Sequence, residues 1–311
     1  MTAPIPAADV KTFVARDFRL QSGVVMPAVT IAYRTLGILA PDRDNVVLVT
    51  HGNTSGPQMI DPLGSTGEGS WNEIVGPGKA VDTNRFFVIC PNMLGSAYGS
   101  TNAASIDPAT GKPYGGFQAF QWAVNYPDMM RGIAAIVTSP VVLRERAEGN
   151  VERMLATLSK DTNWNGGDYY DRGGVLESMI QIRIATLKTY GIESRLRDTM
   201  SDPRQIEAAI RDEAARWASG FDANSLVILA KALRGFNVTA QFSSIRSKVL
   251  YVLSRTDKLF PPELAPGVMQ GLKTAGVDAD YFLLDSEYGH SASGRDAHKW
   301  APRLRQFMDG L

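Results

Sequence analysis

Residues 111–140 read GKPYGGFQAFQWAVNYPDMMRGIAAIVTSP and carry the strongest fold signal in the chain. The Gly-Gly pair predicts a tight turn, and Phe117, Phe120 and Val124 follow at the spacing of an amphipathic helix. A Tyr-Pro-Asp sequence ends that helix, and the apolar run 132–137 predicts a buried strand. A sharp turn, a helix and a strand in this order form the second half of a nucleophile elbow, the strained turn that presents a serine above a sheet.

The first half of the elbow does not fit its pattern, which is Gly-x-Ser-x-Gly. Residues 111–115 read GKPYG, so Pro113 stands where the nucleophile is expected. Because proline has no nucleophilic side chain, this position predicts no covalent catalysis. The preceding stretch, 95–113, is rich in Gly, Ser, Thr, Asn and Pro and predicts a loop. A helix of about 11 residues and a strand of about 5 with their loops would need roughly 25 residues there. The sequence therefore predicts that one central strand and its helix are missing.

The rest of the chain predicts an α/β fold. Alternating residues over 12–36 predict an antiparallel sheet edge. Further strands are predicted at 46–50, 86–90, 248–253 and 281–284, and helices at 71–81, 262–275 and 297–308. Between them, 141–241 is helix-forming without a buried-strand pattern, with helices expected at 145–159, 176–190, 203–219 and 225–233.

This order predicts a doubly wound, mostly parallel sheet with a helical lid. The core is assigned to 1–140 and 242–311, and the lid to 141–241. A separate helical domain is the alternative for the latter segment.

Composition excludes several classes of function. The chain has 32 basic and 32 acidic residues, so its net charge of zero favours neither nucleic acid nor an anionic membrane. No stretch approaches the roughly 18 apolar residues of a spanning helix, and the N-terminus lacks a signal-peptide pattern. The single cysteine, Cys90, excludes an intrachain disulfide and provides no zinc cluster. A cytoplasmic protein without a metal is expected.

Candidate catalytic residues follow the predicted strands, where open α/β sheets place their active sites. Asp257 follows one strand and His290 follows the next, in the elbow–Asp–His order of α/β-hydrolases. His51-Gly52 follows the strand at 46–50, where the backbone N–H groups of Asn53 and Tyr114 would form an oxyanion hole. Two of these assignments have a structural alternative. Asp257 could cap a turn, and the segment 51–56 could be a plain glycine-rich turn. His298, in the last helix, is expected to be structural.

The chain resembles the homoserine O-acetyltransferase-like family of α/β-hydrolases over nearly its whole length. The similar stretches are YRTLG (33–37), VTHGNTSG (49–56), GPGKAVDTNRFFVICPNMLGSAYGSTNAASIDPATGKPYG (76–115), GGFQAFQWAVNYPDMM (115–130), NWNGGDYY (163–170), FDANSL (221–226), SRTDKLFPP (254–262) and GHSASGRDAHKW (289–300).

The resemblance implies ping-pong acyl transfer from acetyl-CoA or another acyl-CoA through a serine ester. It implies small-molecule donors and acceptors, no bound cofactor, and a possible homodimer. Asp257 and His290 match the family's acid and base, and Asn53 matches a backbone oxyanion donor. Arg183, in the lid, weakly matches the arginine that holds a substrate carboxylate.

Two departures from the family remain. His290 is followed by Ser291 instead of the aspartate that receives the amine of homoserine, which argues against homoserine as acceptor. The serine nucleophile is also absent from the elbow. Five other serines could act as substitutes, but none lies in a predicted strand–turn–helix context: Ser96, Ser100, Ser105, Ser139 and Ser291.

Two hypotheses follow from these departures. The first is an acyltransferase or esterase whose elbow strand and serine are missing. The second is a non-enzymatic relic that binds an acyl-CoA or a partner.

Overall fold

The structure is a computed structural model that describes residues 10–19, 23, 25–62, 70–102 and 125–311. Its strands in chain order are β1 (Lys11–Arg19), β2 (Val25–Leu36), β3 (Val46–Leu48), β4 (Val75–Gly76), β5 (Val81–Asp82), β6 (Phe87–Pro91), β7 (Gly132–Ile136), β8 (Lys248–Ser254) and β9 (Ala279–Leu284). The predicted elbow helix and the predictions for Pro113 and Tyr114 lie outside the described residues.

One sheet has the strand order β1-β2-β6-β3. β1 pairs with β2, and β2 with β6, in antiparallel fashion, which confirms the predicted antiparallel edge. β3 pairs with β6 in parallel.

The helix expected over 71–81 is wrong. These residues form turns and the short parallel strands β4 and β5. Gly76 and Gly78 have φ values of +152° and +69°, which interrupt any helix at that point.

A second sheet has the order β7-β8-β9 and is parallel throughout. β8 lies between two neighbours, and after Lys248 all of its residues are buried. Within the described residues, β3 pairs only with β6 and β7 only with β8. Among the described residues, no ladder joins the two sheets.

The helices are α1 (Arg144–Leu158), α2 (Leu176–Thr189), α3 (Ile192–Arg197), α4 (Pro203–Ala218), α5 (Ala223–Ala232), α6 (Ala265–Thr274), α7 (Ala292–Arg295) and α8 (Ala297–Asp309). The helices predicted within 141–241 are confirmed, and α3 is an additional short one. Asp202 and Asp222 cap α4 and α5, where each carboxylate accepts a backbone N–H from the first turn. The segment from Leu158 to Leu229 forms an apolar core of its own. None of the helices in the described ranges is long and apolar enough to cross a bilayer.

Candidate active site

Asp257 lies just beyond the end of β8 in a turn that fixes its carboxylate. Its N–H donates to the carbonyl of Ser254 at 3.2 Å. Its Oδ1 accepts the backbone N–H groups of Leu259 at 2.7 Å and Phe260 at 3.1 Å. The side chain is fully buried. Because two amides hold Oδ1, the second oxygen, Oδ2, is directed to one further partner.

That partner is His290, in the loop that follows β9. Its Nδ1 lies 2.9 Å from Oδ2 of Asp257. A carboxylate is an acceptor, so this geometry places the proton on Nδ1 and leaves the lone pair of Nε2 available. The imidazole is 19% exposed, whereas the carboxylate is inaccessible. A buried carboxylate that orients a partly exposed imidazole is the arrangement that the acid and the base adopt in a catalytic triad.

The lid contacts the base directly through the residue that ends α2. The carbonyl of Tyr190 accepts the N–H of His290 at 3.2 Å, and the Tyr190 ring centre lies 4.8 Å from the imidazole. Gly289 has a φ of +56°, and a Cβ there would lie 2.7 Å from the Tyr190 carbonyl oxygen. The close approach of lid and base therefore requires glycine at this position.

A hydroxyl bridge joins the two loops that carry the acid and the base. Thr256 Oγ1 accepts the N–H of Gly289 at 3.1 Å and donates to the carbonyl of Ser286 at 2.8 Å. Because Thr256 precedes Asp257 and Gly289 precedes His290, this bridge fixes the positions of the Asp257 and His290 side chains relative to each other.

The loop after β3 is the predicted oxyanion loop, and His51 fixes it. The ring is buried; its Nδ1 lies 2.8 Å from the carbonyl of Gly52, and its Nε2 accepts the N–H of Met93 at 3.1 Å. Burial lowers the pKa of His51 below its ordinary value, although the contact with Gly52 works in the opposite direction. His51 is therefore a neutral structural residue, and half-buried Asn53 lies in the turn that it supports.

The lid also contacts this loop. Trp217, in α4, donates its indole N–H to the carbonyl of Thr54 at 2.9 Å. The guanidinium of Arg183 stacks on the same indole, with its carbon 4.6 Å from the ring centre, and is itself buried. The structure thus joins Arg183 through Trp217 to the residue that follows Asn53. Carboxylate binding by Arg183 and oxyanion binding by Asn53 stay predictions.

No protein-family model matches the chain. The homoserine O-acetyltransferase of Geotalea daltonii is 30% identical over 349 residues, covering 94% of this chain and 95% of the relative. The chain belongs to the homoserine O-acetyltransferase family. The enzyme of the same name from Rhodospirillum rubrum is 28% identical over 354 residues, covering 94% of this chain and 90% of that protein. Both alignments are longer than this family member of 311 residues, so each relative has residues without a counterpart here.

Solved structures show the same fold. The crystal structure of homoserine O-acetyltransferase from Bacillus anthracis superposes with a TM-score of 0.82 at 21% identity, covering 97% of both chains. An esterase superposes with a TM-score of 0.83 at 23% identity, covering 96% of this chain and 99% of the other. These likenesses confirm the α/β-hydrolase fold class for this family member.

No alternative nucleophile contacts the base within the described residues, where the imidazole of His290 hydrogen bonds only to Asp257. Ser96, Ser100 and Ser139 are buried, and Ser100 donates its hydroxyl hydrogen to the carbonyl of Asn92 at 2.8 Å. Ser105 lies outside the described residues. Burial raises the pKa of the Cys90 thiol to about 12, which makes it an inert core residue. The described residues contain no cluster of side chains suited to a metal ion.

Sequence reasoning missed Tyr190 and Trp217, which connect the lid to the site. A tyrosine before Gly191 at the end of a helix gave a weak signal for Tyr190. Nothing in the local pattern distinguished Trp217 from a core tryptophan, because its partners come from distant parts of the chain.

Proposed function

We propose that Asp257 and His290 are the acid and the base of a serine-dependent acyl transfer from a small-molecule donor, such as acetyl-CoA, to a hydroxyl acceptor. The observation that carries this proposal is the 2.9 Å contact between Oδ2 of Asp257 and Nδ1 of His290, with the carboxylate buried and held by two amides. Membership of the homoserine O-acetyltransferase family supports it.

In this mechanism Nε2 of His290 takes the proton of a serine hydroxyl as its oxygen attacks the acyl carbonyl. The backbone N–H groups of Asn53 and Tyr114 stabilise the resulting oxyanion. The carbonyl re-forms as the donor's carbon–sulfur bond breaks, and the imidazolium returns its proton to the leaving thiolate. The acceptor hydroxyl then attacks the acyl-serine with His290 again as base. The carbon–oxygen bond to serine breaks as the imidazolium returns the proton to the serine oxygen, while Asp257 keeps the imidazole oriented. Water in place of the acceptor would give an esterase.

The second part of the proposal is that this chain lacks the serine. Pro113 occupies the elbow position, and no described serine contacts His290. The alignments with both relatives need residues that this chain does not have. On this proposal the chain holds an ordered acid–base pair without a nucleophile, and acyl transfer requires the elbow strand to be restored.

For the acceptor, we propose a hydroxyl compound that carries a carboxylate but lacks the amine of homoserine. Ser291 provides no charge for an ammonium group, and buried Arg183 lies beside the loop of Asn53 through Trp217. In a restored chain, Arg183→Met should raise KM for acidic acceptors while leaving KM for neutral ones unchanged. Equal KM values for both classes would contradict this role.

A second candidate function is non-catalytic binding of an acyl-CoA or a partner. The observation that favours it is the helical segment 158–229, whose described residues form an apolar cluster of their own. On this reading the present chain binds ligand but never forms an acyl-enzyme.

A fluorophosphonate probe separates these readings. The present chain is compared with a restored chain, in which Pro113 is replaced by the strand and elbow segment of the Geotalea daltonii relative, so that Gly-x-Ser precedes Tyr114. The present chain should remain unlabelled, and the restored chain should label at the inserted serine. Loss of a triad serine costs roughly 10⁶-fold in turnover, so a gain of this order is expected on restoration.

The matched control is the restored chain with the inserted serine changed to alanine, which should fold but not react. Stoichiometric labelling of the present chain at one serine would overturn the claim that the nucleophile is absent. A folded restored chain that neither labels nor turns over would overturn the catalytic proposal and favour the binding function.

A further inference from the structure

The lid provides a cation for the loop that carries the acid. Arg146 lies in the first turn of α1. Its Nη1 donates to the carbonyl of Leu259 at 2.7 Å, and its Nη2 donates to the carbonyl of Lys258 at 3.1 Å. One guanidinium therefore binds two successive carbonyls with its two terminal nitrogens, a planar fork that the single ammonium of a lysine does not reproduce.

The two peptide groups that Arg146 binds are the same two that hold Asp257. The carbonyl of Lys258 and the N–H of Leu259 belong to one peptide group, and this N–H donates to Oδ1 of Asp257 at 2.7 Å. The carbonyl of Leu259 and the N–H of Phe260 belong to the next group, and this N–H donates to Oδ1 at 3.1 Å. Because the C=O and N–H of a trans peptide point in opposite directions, the guanidinium and the carboxylate bind opposite sides of both groups.

The carboxylate of Asp257 has no direct lysine or arginine partner in the part of the chain that the structure describes. Its side chain is fully buried, and its ion pair there is with the imidazole of His290. A buried carboxylate is costly unless hydrogen bonds replace its lost water. A cation that binds a peptide carbonyl polarises that peptide group, which makes its N–H a stronger donor. Arg146 therefore strengthens both hydrogen bonds to Oδ1 without contacting the carboxylate.

The position of Arg146 is not explained by its own helix. Cations are unfavourable in the first turn, where the helix dipole is positive. Arg144, in the same turn, has an ion-pair partner in Glu148, with Nε and Oε1 2.8 Å apart. Arg146 forms no ion pair among the described residues, and its hydrogen bonds there go to the two carbonyls. The neighbouring Ala147 is buried, so the backbone that carries Arg146 is fixed against the lid.

We propose that Arg146 is a positioning residue for the acid–base pair. It acts through the two peptide groups on the carboxylate of Asp257, and through that carboxylate on His290. This inference rests on the proposed function, because it takes Asp257 as the residue that orients the base. In that function the guanidinium keeps Oδ2 of Asp257 directed at Nδ1 of His290 while the imidazole gains and loses a proton.

The inference gives the lid a positioning role at each loop of the candidate site. Helix α1 holds the acid loop through Arg146, and α4 holds the predicted oxyanion loop through Trp217. The residue that ends α2, Tyr190, holds the base loop through its carbonyl. Each of these three lid helices therefore contacts a different loop.

The test uses the full chain as it exists, because its readout is the geometry of the acid and the base and needs no nucleophile. The chain has three histidines, so selective ¹⁵N-histidine labelling gives a simple spectrum, in which His290→Gln assigns the Nδ1–H resonance of His290. Arg146→Met removes the guanidinium and keeps an aliphatic stem. We expect the amides of Leu259 and Phe260 to exchange about tenfold faster. The Nδ1–H resonance of His290 should move upfield, because its hydrogen bond to Oδ2 weakens.

Two further variants separate the fork from the charge of the helix. Arg144→Met is the matched control, since it removes an exposed arginine from the same turn, and it should leave both readouts unchanged. Arg146→Lys keeps the charge but not the fork. Its amide exchange should be faster than in the unaltered chain and slower than in Arg146→Met, and it provides the test if Arg146→Met does not fold.

Three results would overturn the inference: unchanged exchange of Leu259 and Phe260, an unchanged Nδ1–H resonance of His290, or equal changes in Arg144→Met. Faster exchange throughout α1 with a constant His290 resonance would assign Arg146 a purely structural role in the lid. Failure of the proposed function is distinguishable from these results. A restored chain without turnover would contradict catalysis, whereas an upfield shift of the His290 resonance in Arg146→Met would still sustain the positioning role.

Discussion

The loops of Asp257 and His290 and the strands β3 and β7 differ in how many partners they have among the described residues. At the acid–base end, Asp257 and His290 have their hydrogen-bond partners, and Thr256 and Tyr190 hold the loops around them. At the centre, β3 and β7 each have one strand partner within the described residues. Within the described residues, Asp257 and His290 are therefore positioned by β8, β9 and the lid.

The largest expected effect tests whether the acid–base end acts as a catalytic unit. In the restored chain, Asp257→Asn should lower kcat by roughly 10⁴-fold, because an amide N–H facing Nδ1 favours the wrong imidazole tautomer. Its Oδ1 can still accept the N–H groups of Leu259 and Phe260, so the turn should persist.

The matched control is Asp285→Asn, which removes an exposed carboxylate paired with Arg255 beyond the end of β9. Its kcat should be unchanged, since exposed ion pairs contribute little. A similar loss in both variants would show that charge near the site, and not the orientation of His290, explains the effect.

The next effect tests the close contact between lid and base. Gly289→Ala should lower the free energy of unfolding of the present chain by about 2 to 4 kcal/mol, because the new Cβ combines backbone strain with a 2.7 Å contact to the Tyr190 carbonyl. Gly276→Ala is the control, since its φ is +76° and nothing lies within 4 Å of a Cβ there. It should cost about 1 kcal/mol. Urea unfolding curves measure both, and equal losses would mean that the lid does not constrain Gly289.

A smaller effect tests the loop at the end of β3. Burial lowers the pKa of His51 below its ordinary value of 6.5, so the unfolded chain takes up a proton more readily than the folded one. The contribution of neutral His51 to the free energy of unfolding is therefore complete above pH 6.5. It is lost as the pH falls through the folded-state pKa, and the free energy changes by at most about 1.4 kcal/mol per pH unit. Urea unfolding across this range measures the slope.

Two variants identify the residue responsible for this pH dependence. His51→Gln should flatten the acid side of the stability curve. His298→Gln, at an exposed position in α8, should leave that curve unchanged. An unaltered slope in His51→Gln would assign the pH dependence to other groups.

The smallest effect tests the contact between the lid and the oxyanion loop. Trp217→Phe preserves an aromatic ring beside Arg183 but removes the donor to Thr54, which should cost about 1 kcal/mol and accelerate amide exchange within 51–56. Trp71→Phe is the control, because the indole N–H of Trp71 donates to no group among the described residues. Faster amide exchange within 51–56 in both variants would show that Trp217 has no specific role in holding this loop.

The pattern-based predictions succeeded where the signal is local. The apolar run at 248–253 becomes the buried β8, and the lid helices begin and end close to their expected residues. The short helix predicted at 71–81, with a stop near residues 76–78, was wrong, because Gly76 and Gly78 adopt positive φ values and the flanking residues form turns and two short strands. The contacts of Tyr190 with His290 and of Trp217 with Thr54 were not foreseeable, because they join residues from distant parts of the chain.

The family, the α/β-hydrolase fold class and the candidates Asp257 and His290 follow from consecutive residues, because strand patterns and short motifs are local. Tertiary packing was needed to bring Nδ1 of His290 to the buried carboxylate and to bring Tyr190 and Trp217 to the site. It also places the end of α8 against Arg85 and Lys248, which belong to different sheets. These contacts join residues 33 to 224 positions apart, and their geometry is set by packing rather than by spacing along the chain.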